Sequence, residues 1–523
     1  MNPSRKARSD NRRFGANPDS SHDSAWNPQL AFPPRYWWLK RILAATAVLL
    51  VALLVVHWWW GLDARRKLDA KIAEYRALGQ PVMPEDFKLP PIPDEENAAH
   101  FLKQAAAKIV QPANVNLNFE DLCGDLEQIK IHADDVHRIL DANLEAFALA
   151  GQALHFPIAD WNVQVTAQIW NLNFPDITLQ RRLSKLLGTA VLYHHVAGDD
   201  FQSMQRLQQF DFQALHVTGR QLCLIQLLTH TGMFAAVAYS VEQIAPTLQI
   251  GSAENAPQRA SPKQVRALIA SLLAEDEIRE SWRQAFYFER LFSVNSVKDP
   301  VANIRLVFGP ASRIPLLTYG IIPALQHDAL FTLDFNARVS EAGVSLNYPQ
   351  TMREMPVYPA MGGIQRMAHF TSRIMLPSFD RTTVLYFRGI ALRRMAALAL
   401  ALRLYEVEHG NRPATLEALD PDYLPAIPLD PFAAENTPIR YLPDAPHPLL
   451  YSINDDEIDD GGRVTLNGKG DVYREKSDLI FFLDGQRPQS PPPTVTTAPA
   501  ASKPANPKDV EDDAANISLD KQR

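Results

Sequence analysis

The hydrophobic pattern of this chain contains one long run with no polar face. Ile42–Trp60 holds nineteen residues without a formal charge, set between Lys40-Arg41 and Arg65-Arg66-Lys67. As a helix it rises about 28 Å, close to the ~30 Å hydrocarbon core of a bilayer. Trp37 and Trp38 precede the run and Trp58, Trp59 and Trp60 close it. Indole rings favour the headgroup level, so these read as two aromatic belts. A cleaved signal peptide has a shorter apolar region and a small-residue cleavage site, and His57 with three tryptophans makes a poor one. The pattern predicts a single uncleaved transmembrane helix over 37–61, behind a polar tail over 1–36 whose composition predicts disorder.

After the anchor the apolar residues take up helical spacing. Residues 62–97 read as a charged stalk and a Pro-rich linker, with five prolines between Pro81 and Pro93 ending the helix. Asp94 or Asn97 suits the cap of a new helix entering at Ala98. From 98 to 375 the chain reads as a helical domain. Leu183, Leu186, Leu187 and Val191 recur on one face, Gly198-Asp199-Asp200 interrupts, and Phe201, Met204, Leu207 and Phe210 resume the spacing. A third run carries Leu222, Leu224, Leu227, Leu228 and Phe234. Helix, tight turn, helix, helix is similar to tetratricopeptide-type hairpins, although no repeat of about 34 residues is present. Ile314–Leu325 is apolar but short and carries Pro315 and Pro323, so it reads as a core segment. Arg381–Glu408 is a long helix stopped by His409-Gly410-Asn411. Short strand-like pieces follow at Arg440–Leu442, Leu449–Ile453, Arg463–Leu466 and Leu479–Leu483. Residues 486–523 are rich in Pro, Ala, Thr and Asp and read as a disordered tail. The fold class predicted is mainly α, with a small α+β module over 380–485.

Charge narrows the partners. The chain carries −7; its first 41 residues, with eight basic and three acidic groups, stand at +5, which leaves −12 on the rest. An acidic body lacks the basic surface that nucleic acid requires. Two cysteines, Cys123 and Cys223, are too few for a disulfide framework, and leave open one bridge or two buried thiols.

The C-terminal pieces run in a recognisable order. Tyr405, Gly410 and Pro413 space a turn as Tyr-x-x-x-x-Gly-x-x-Pro. Pro428-Leu429-Asp430-Pro431-Phe432 follows, then Ile439-Arg440-Tyr441, Leu450-Tyr451-Ser452, Asp459-Asp460-Gly461-Gly462 and Ser477-Asp478-Leu479-Ile480-Phe481. This series, over about 380–485, resembles the C-terminal domain of type II secretion major pseudopilins. The whole layout resembles large membrane-anchored bacterial proteins that reuse this module. The resemblance implies a long helix, a Pro-x-Asp-Pro loop, a small antiparallel sheet and a body outside the bacterial cytoplasmic membrane. It also supplies the orientation, N-terminus inside, because the flanking charges, three before the span and five after it, do not. Tyr36-Trp37-Trp38-Leu39-Lys40 offers no pseudopilin leader, which argues against assembly into a pilus.

In pseudopilins the corresponding acidic loop binds calcium. The resemblance therefore implies calcium at Asp455, Asp456, Asp459 and Asp460, since that cation takes six to eight oxygens from a flexible loop. Glu457 stands where that loop has a glycine. His194-His195 with Asp199-Asp200, and His132 with His137, have spacings that serve one metal poorly. No Gly-x-Ser-x-Gly, phosphate-cradling glycine loop or His-Glu-x-x-His occurs. The expectation is a non-catalytic, membrane-anchored protein that contacts other envelope proteins. An envelope hydrolase whose residues gather only in the fold, and a structural spacer, are the alternatives.

Overall fold

The computed structural model describes residues 36–487 except 123, 164, 166–176, 218, 220–222, 252–255, 299–314, 359–361, 363–368, 370–371, 374–376, 435 and 465–476. The protein is mainly helical and divides into two compact units, Met1–Trp59 and Trp60–Arg523. Helix α1, Trp37–Ala77, is a single helix of 41 residues. No residue of its apolar window is buried, whereas Ala64, Leu68 and Tyr75 are. It is long and apolar enough to cross a membrane.

The second unit begins with short helices: α2 (Ala98–Ala107), α3 (Leu126–Ile131), α4 (Ala133–Ala142) and α5 (Leu144–Ala153). Asn97 caps α2, its side chain accepting from the Ala99 N–H at 3.0 Å. The run of three helices read from the sequence follows as α6 (Ile177–Val196), α7 (Asp200–His216) and α8 (Leu224–Ile244). Gly198 takes φ +78° in the turn between α6 and α7, and Asp199 caps α7 through the Gln202 N–H. Among the described residues α8 is the other helix long and apolar enough to span a membrane, but most of its apolar window is buried in the body, so it is a core helix.

Then come α9 (Pro262–Leu272), α10 (Asp276–Lys298), α11 (Pro315–Ala342), α12 (Tyr348–Glu354) and α13 (Pro377–His409). α10 lies along α11, and α13 lies against both α8 and α9. Gly389 lets α13 approach α8, since a Cβ there would sit 3.0 Å from the Thr231 methyl. Three strands close the fold in the order β1 (Arg440–Leu442), β2 (Leu449–Ser452), β3 (Leu479–Phe482), all antiparallel. Of the fourth expected strand, Arg463 and Val464 are not in a strand, and 465–466 lie outside the described residues.

One hydrophobic cluster runs from Ala98 on α2 to Leu483 after β3. The segments 98–375 and 380–485 thus share a core, with α13 as its middle element. Arg393 on α13 is the polar hub of that core. Its Nη1 meets Asp211 Oδ1 on α7 at 2.5 Å, its Nη2 donates to the Ser271 carbonyl on α9 at 2.7 Å, and its guanidinium lies over Phe234 of α8 at 4.3 Å.

Candidate functional site

The sheet and the end of α13 form one wired surface. Gly410, at φ +82°, ends α13 in the left-handed conformation that a helix C-terminus favours. Beyond it, the Tyr441 hydroxyl donates to the Pro413 carbonyl at 3.2 Å, and Arg412 donates to the Leu483 carbonyl at 2.9 Å. Asp430 of the Pro-x-Asp-Pro loop is buried and fully engaged. Its Oδ1 accepts from the Phe432 N–H at 3.0 Å and the Ser452 hydroxyl at 2.6 Å; its Oδ2 accepts from the Ile453 N–H at 3.0 Å and Arg440 at 2.8 Å. Four donors on one carboxylate compensate its desolvation, and they fasten this loop to β1 and β2.

The acidic loop continues from there. Arg440 donates from Nε to Asp459 Oδ2 at 2.7 Å, while Asp459 Oδ1 accepts from Tyr451 at 3.1 Å and from the Gly461 N–H at 2.9 Å. Burial pushes the Asp459 carboxyl up, but the Gly461 N–H and Arg440 outweigh it and hold the group below the usual carboxylate range. Asp455 pairs with Arg388 of α13 at 2.7 Å, and Arg388 also reaches Asn454 at 2.9 Å. Asp456 turns back to the Ile458 N–H at 3.2 Å. Asp460 is exposed, and its N–H donates to Asp478 Oδ1 at 3.4 Å. Asp478 also takes the Gly462 N–H at 2.8 Å; burial pushes its carboxyl up. The fold therefore brings the four sequence-predicted aspartates to one loop, with Asp455 and Asp459 each held by an arginine. Among the described residues no group of three or more His, Cys, Asp or Glu is arranged to hold a metal ion.

The histidine clusters do not converge. His195 Nδ1 lies 2.6 Å from Asp200, whose second oxygen accepts from the Gln249 N–H at 2.6 Å. His194 is held down to about 4, by burial first and by Arg206 next. His137 lies 3.3 Å from Asp141 and stacks on Tyr193. These contacts fasten helix ends. Cys223 is a buried free thiol that burial raises to about 12, so it is unreactive near neutral pH; Cys123 lies outside the described residues.

Two features escaped the sequence. Buried Asp328 on α11 lies 3.3 Å from His369 Nδ1 and accepts from the Ser372 N–H at 3.2 Å. Ser372 lies 44 positions beyond Asp328, and only the fold brings them together. An open groove of about 460 Å³ lies where the start of α9 meets the end of α13. Ile250, Pro262, Leu404 and Val407 line it, with Lys263 and Glu408. Pattern reading identifies such residues as apolar but does not say which of them a third element leaves uncovered.

Comparison with known proteins found no matching family model, no matching curated protein and no matching solved structure.

Proposed function

We propose that this chain is a single-pass, membrane-anchored, non-catalytic protein that presents its helical body to other proteins of a bacterial envelope. The observation that carries the reading is α1: one helix whose apolar window is wholly exposed and whose later residues Ala64, Leu68 and Tyr75 are buried in the body. Nineteen charge-free residues left unburied are costly in water and stable in hydrocarbon. The orientation proposed is N-terminus inside and body outside, from the resemblance. A pseudopilin-like module is supported by the ordered series of motifs, by the Pro-x-Asp-Pro loop tied through Asp430 to the sheet, and by three antiparallel strands that follow a long helix.

The interaction surface proposed is the apolar groove beside α13, where Val407 is 40% exposed. A shallow apolar site flanked by one Lys and one Glu suits a side chain from a partner protein. The test has two arms. Protease added to spheroplasts should digest the body, and digestion only in inside-out membrane vesicles would overturn the orientation. A photo-crosslinking side chain at Val407 should give one discrete protein adduct, lost when Pro262→Asp is added at the exposed rim of the groove. A smear unchanged by Pro262→Asp would overturn the groove as the contact.

A further inference from the structure

The groove beside α13 has an apolar floor and a charged rim. Ile250 and Leu404, 5% and 1% exposed, make the floor; Val407, Pro262, Lys263 and Glu408 stand around it. The rim charges are not equivalent. Glu408 is already engaged: the Tyr423 hydroxyl donates to its Oε2, and Arg266 Nη2 lies 3.6 Å from its Oε1. Arg266 is held in place, donating to the Asp422 carbonyl at 2.6 Å with its guanidinium over the Tyr423 ring. Lys263 is exposed and has no ion pair or side-chain hydrogen bond among the described residues. Arg259 is exposed and equally open, and its stem lies against Gly251 of the groove, where an added Cβ would sit 3.0 Å from Arg259 Cδ. Arg259, Lys263 and Arg266 thus face the single carboxylate of Glu408. The rim is net basic, on a chain whose residues beyond 41 sum to −12.

The floor also offers main-chain groups. Ile250 forms an isolated parallel bridge with Ala260. The Gly251 N–H donates to the Ala260 carbonyl at 3.0 Å, and the Ala260 N–H donates to the Gln249 carbonyl at 2.9 Å. In this pattern Ala260 uses both of its own main-chain groups, while the N–H and C=O of Ile250 point to the opposite side. Among the described residues neither of them has a hydrogen-bond partner. Ile250 is nearly buried, and buried main-chain groups are ordinarily paired. One donor and one acceptor on a single extended residue are what an added strand pairs with.

We infer that the groove takes an extended, acidic segment of a partner protein, in which an Asp or Glu stands close to a Leu, Ile or Val. The apolar side chain packs on Leu404 and Val407, the carboxylate meets Lys263, and the main chain of the segment pairs with Ile250. The inference rests on the groove being the contact surface, as proposed above, and adds the chemistry of what it holds. Charge complementarity carries the choice of an acidic occupant: a basic segment would be repelled by Lys263 and Arg259, and Glu408 is already neutralised by Arg266. The main chain of Ile250 carries the choice of an extended one, because a helix has spent its own N–H and C=O groups internally. Residues two apart on a strand share a face and lie about 7 Å apart, so one segment presents its apolar and its acidic side chain to the groove together. An exposed ion pair adds little to affinity; here it selects the segment, while the apolar side chain holds it.

The test uses the full-length protein in cells, with the photo-crosslinking side chain at Val407 and the crosslinked residue of the partner mapped by peptide mass. That residue is expected within three positions of an Asp or Glu. Lys263→Glu should cut the adduct about tenfold, and Lys263→Arg should leave it unchanged. Lys263 has no partner to lose, and an acidic side chain in the first turn of α9 favours the helix, so Lys263→Glu leaves the fold intact. A discrete adduct in a segment without Asp or Glu in that window, or one formed equally by Lys263→Glu, would overturn the inference and leave the groove standing as a contact. The absence of any discrete adduct would overturn the groove itself. An adduct to a second copy of this chain, to its own residues 488–523 or to lipid would overturn the inference by naming another occupant. Two synthetic copies of the mapped segment, methylated on alternate sets of main-chain nitrogens, separate strand addition from side-chain contact, since successive N–H groups of a strand point to opposite edges. One copy should bind the full-length protein in detergent micelles at least tenfold more weakly than the other; equal binding of the two would overturn the pairing with Ile250.

Discussion

Arg393 and Asp211 face each other at 2.5 Å in the middle of the body, each about 1% exposed. The pair joins α13 to α7, and Ser271 on α9 donates its hydroxyl to the other Asp211 oxygen at 2.5 Å. Removing one partner strands the other charge out of water, a loss of about 3–5 kcal/mol. Arg393→Met should therefore lower the stability of the full-length protein by that amount in chemical denaturation. The double variant Arg393→Met, Asp211→Leu should recover much of it, because an apolar pair of similar volume leaves no charge behind. If the double variant is as unstable as the single one, the loss comes from packing and not from the stranded carboxylate.

A second outcome concerns pH. His230 is fully buried; burial first, and Arg393 after it, hold its imidazole down to about 3 against an ordinary 6.5. The folded chain refuses a proton that the unfolded chain accepts below about pH 6.5. Stability from this group is complete above that value and falls as pH drops toward 3, by about 1.4 kcal/mol per unit. Glu289 acts in the opposite sense: burial raises its carboxyl from 4.5 to about 7, so its contribution is complete below 4.5 and is lost as pH rises through 7. His230→Leu removes only the first term. Stability curves of wild type and variant should diverge by about 1.4 kcal/mol per unit between pH 6 and 4. Parallel curves would show that His230 protonates without penalty.

The acidic loop offers a backbone test. Glu457 takes φ +57°, the left-handed region where a side chain costs about 1–2 kcal/mol and a glycine does not. Glycine gives part of that back through its freer unfolded chain, about 0.4–1 kcal/mol. Glu457→Gly should raise stability by up to about 1 kcal/mol, and Glu457→Ala should not. Equal effects of the two would trace the change to the lost carboxylate.

Calcium at this loop, implied by the pseudopilin resemblance, must compete with arginine. Asp459 spends Oδ2 on Arg440 and Oδ1 on Tyr451 and the Gly461 N–H. Removing that counter-charge frees an oxygen for the cation, so Arg440→Gln should bind calcium more tightly than wild type in calorimetry of the full-length protein. Equal heats in both proteins would show that Asp459 is not a ligand.

The parts of this structure that pattern reading found are those with a local cause. The α6–α7–α8 run follows from leucines at helical spacing and from Gly198-Asp199, which supplies both the turn and the cap. The end of α13 follows from Gly410, and β1, β2 and β3 from short apolar runs between turn residues. The relationships that required coordinates are all long-range. That α13 lies inside the same core as α8 cannot be read from its own sequence, where Arg388, Arg393, Arg394 and Arg403 suggest a solvated face; the structure buries Arg393 and gives each of the others a hydrogen-bonding partner. The four acidic-loop aspartates were legible as a cluster because loops rich in Asp and Gly stand out in composition. Their arginine partners, Arg388 and Arg440, were not, since nothing local links residues 67 and 19 positions away.

The central place of α13 bears on how the protein is made. α8 and α9 rest on a helix that is synthesised roughly 160 and 125 residues after them. Until Pro377–His409 has emerged, the chain ahead of it holds an unfilled apolar trough, open to holdases and to proteases. A product interrupted before that helix has no means of sealing itself, so late truncation should be cleared as thoroughly as early truncation, and mature copies should be those whose synthesis ran through the final strands.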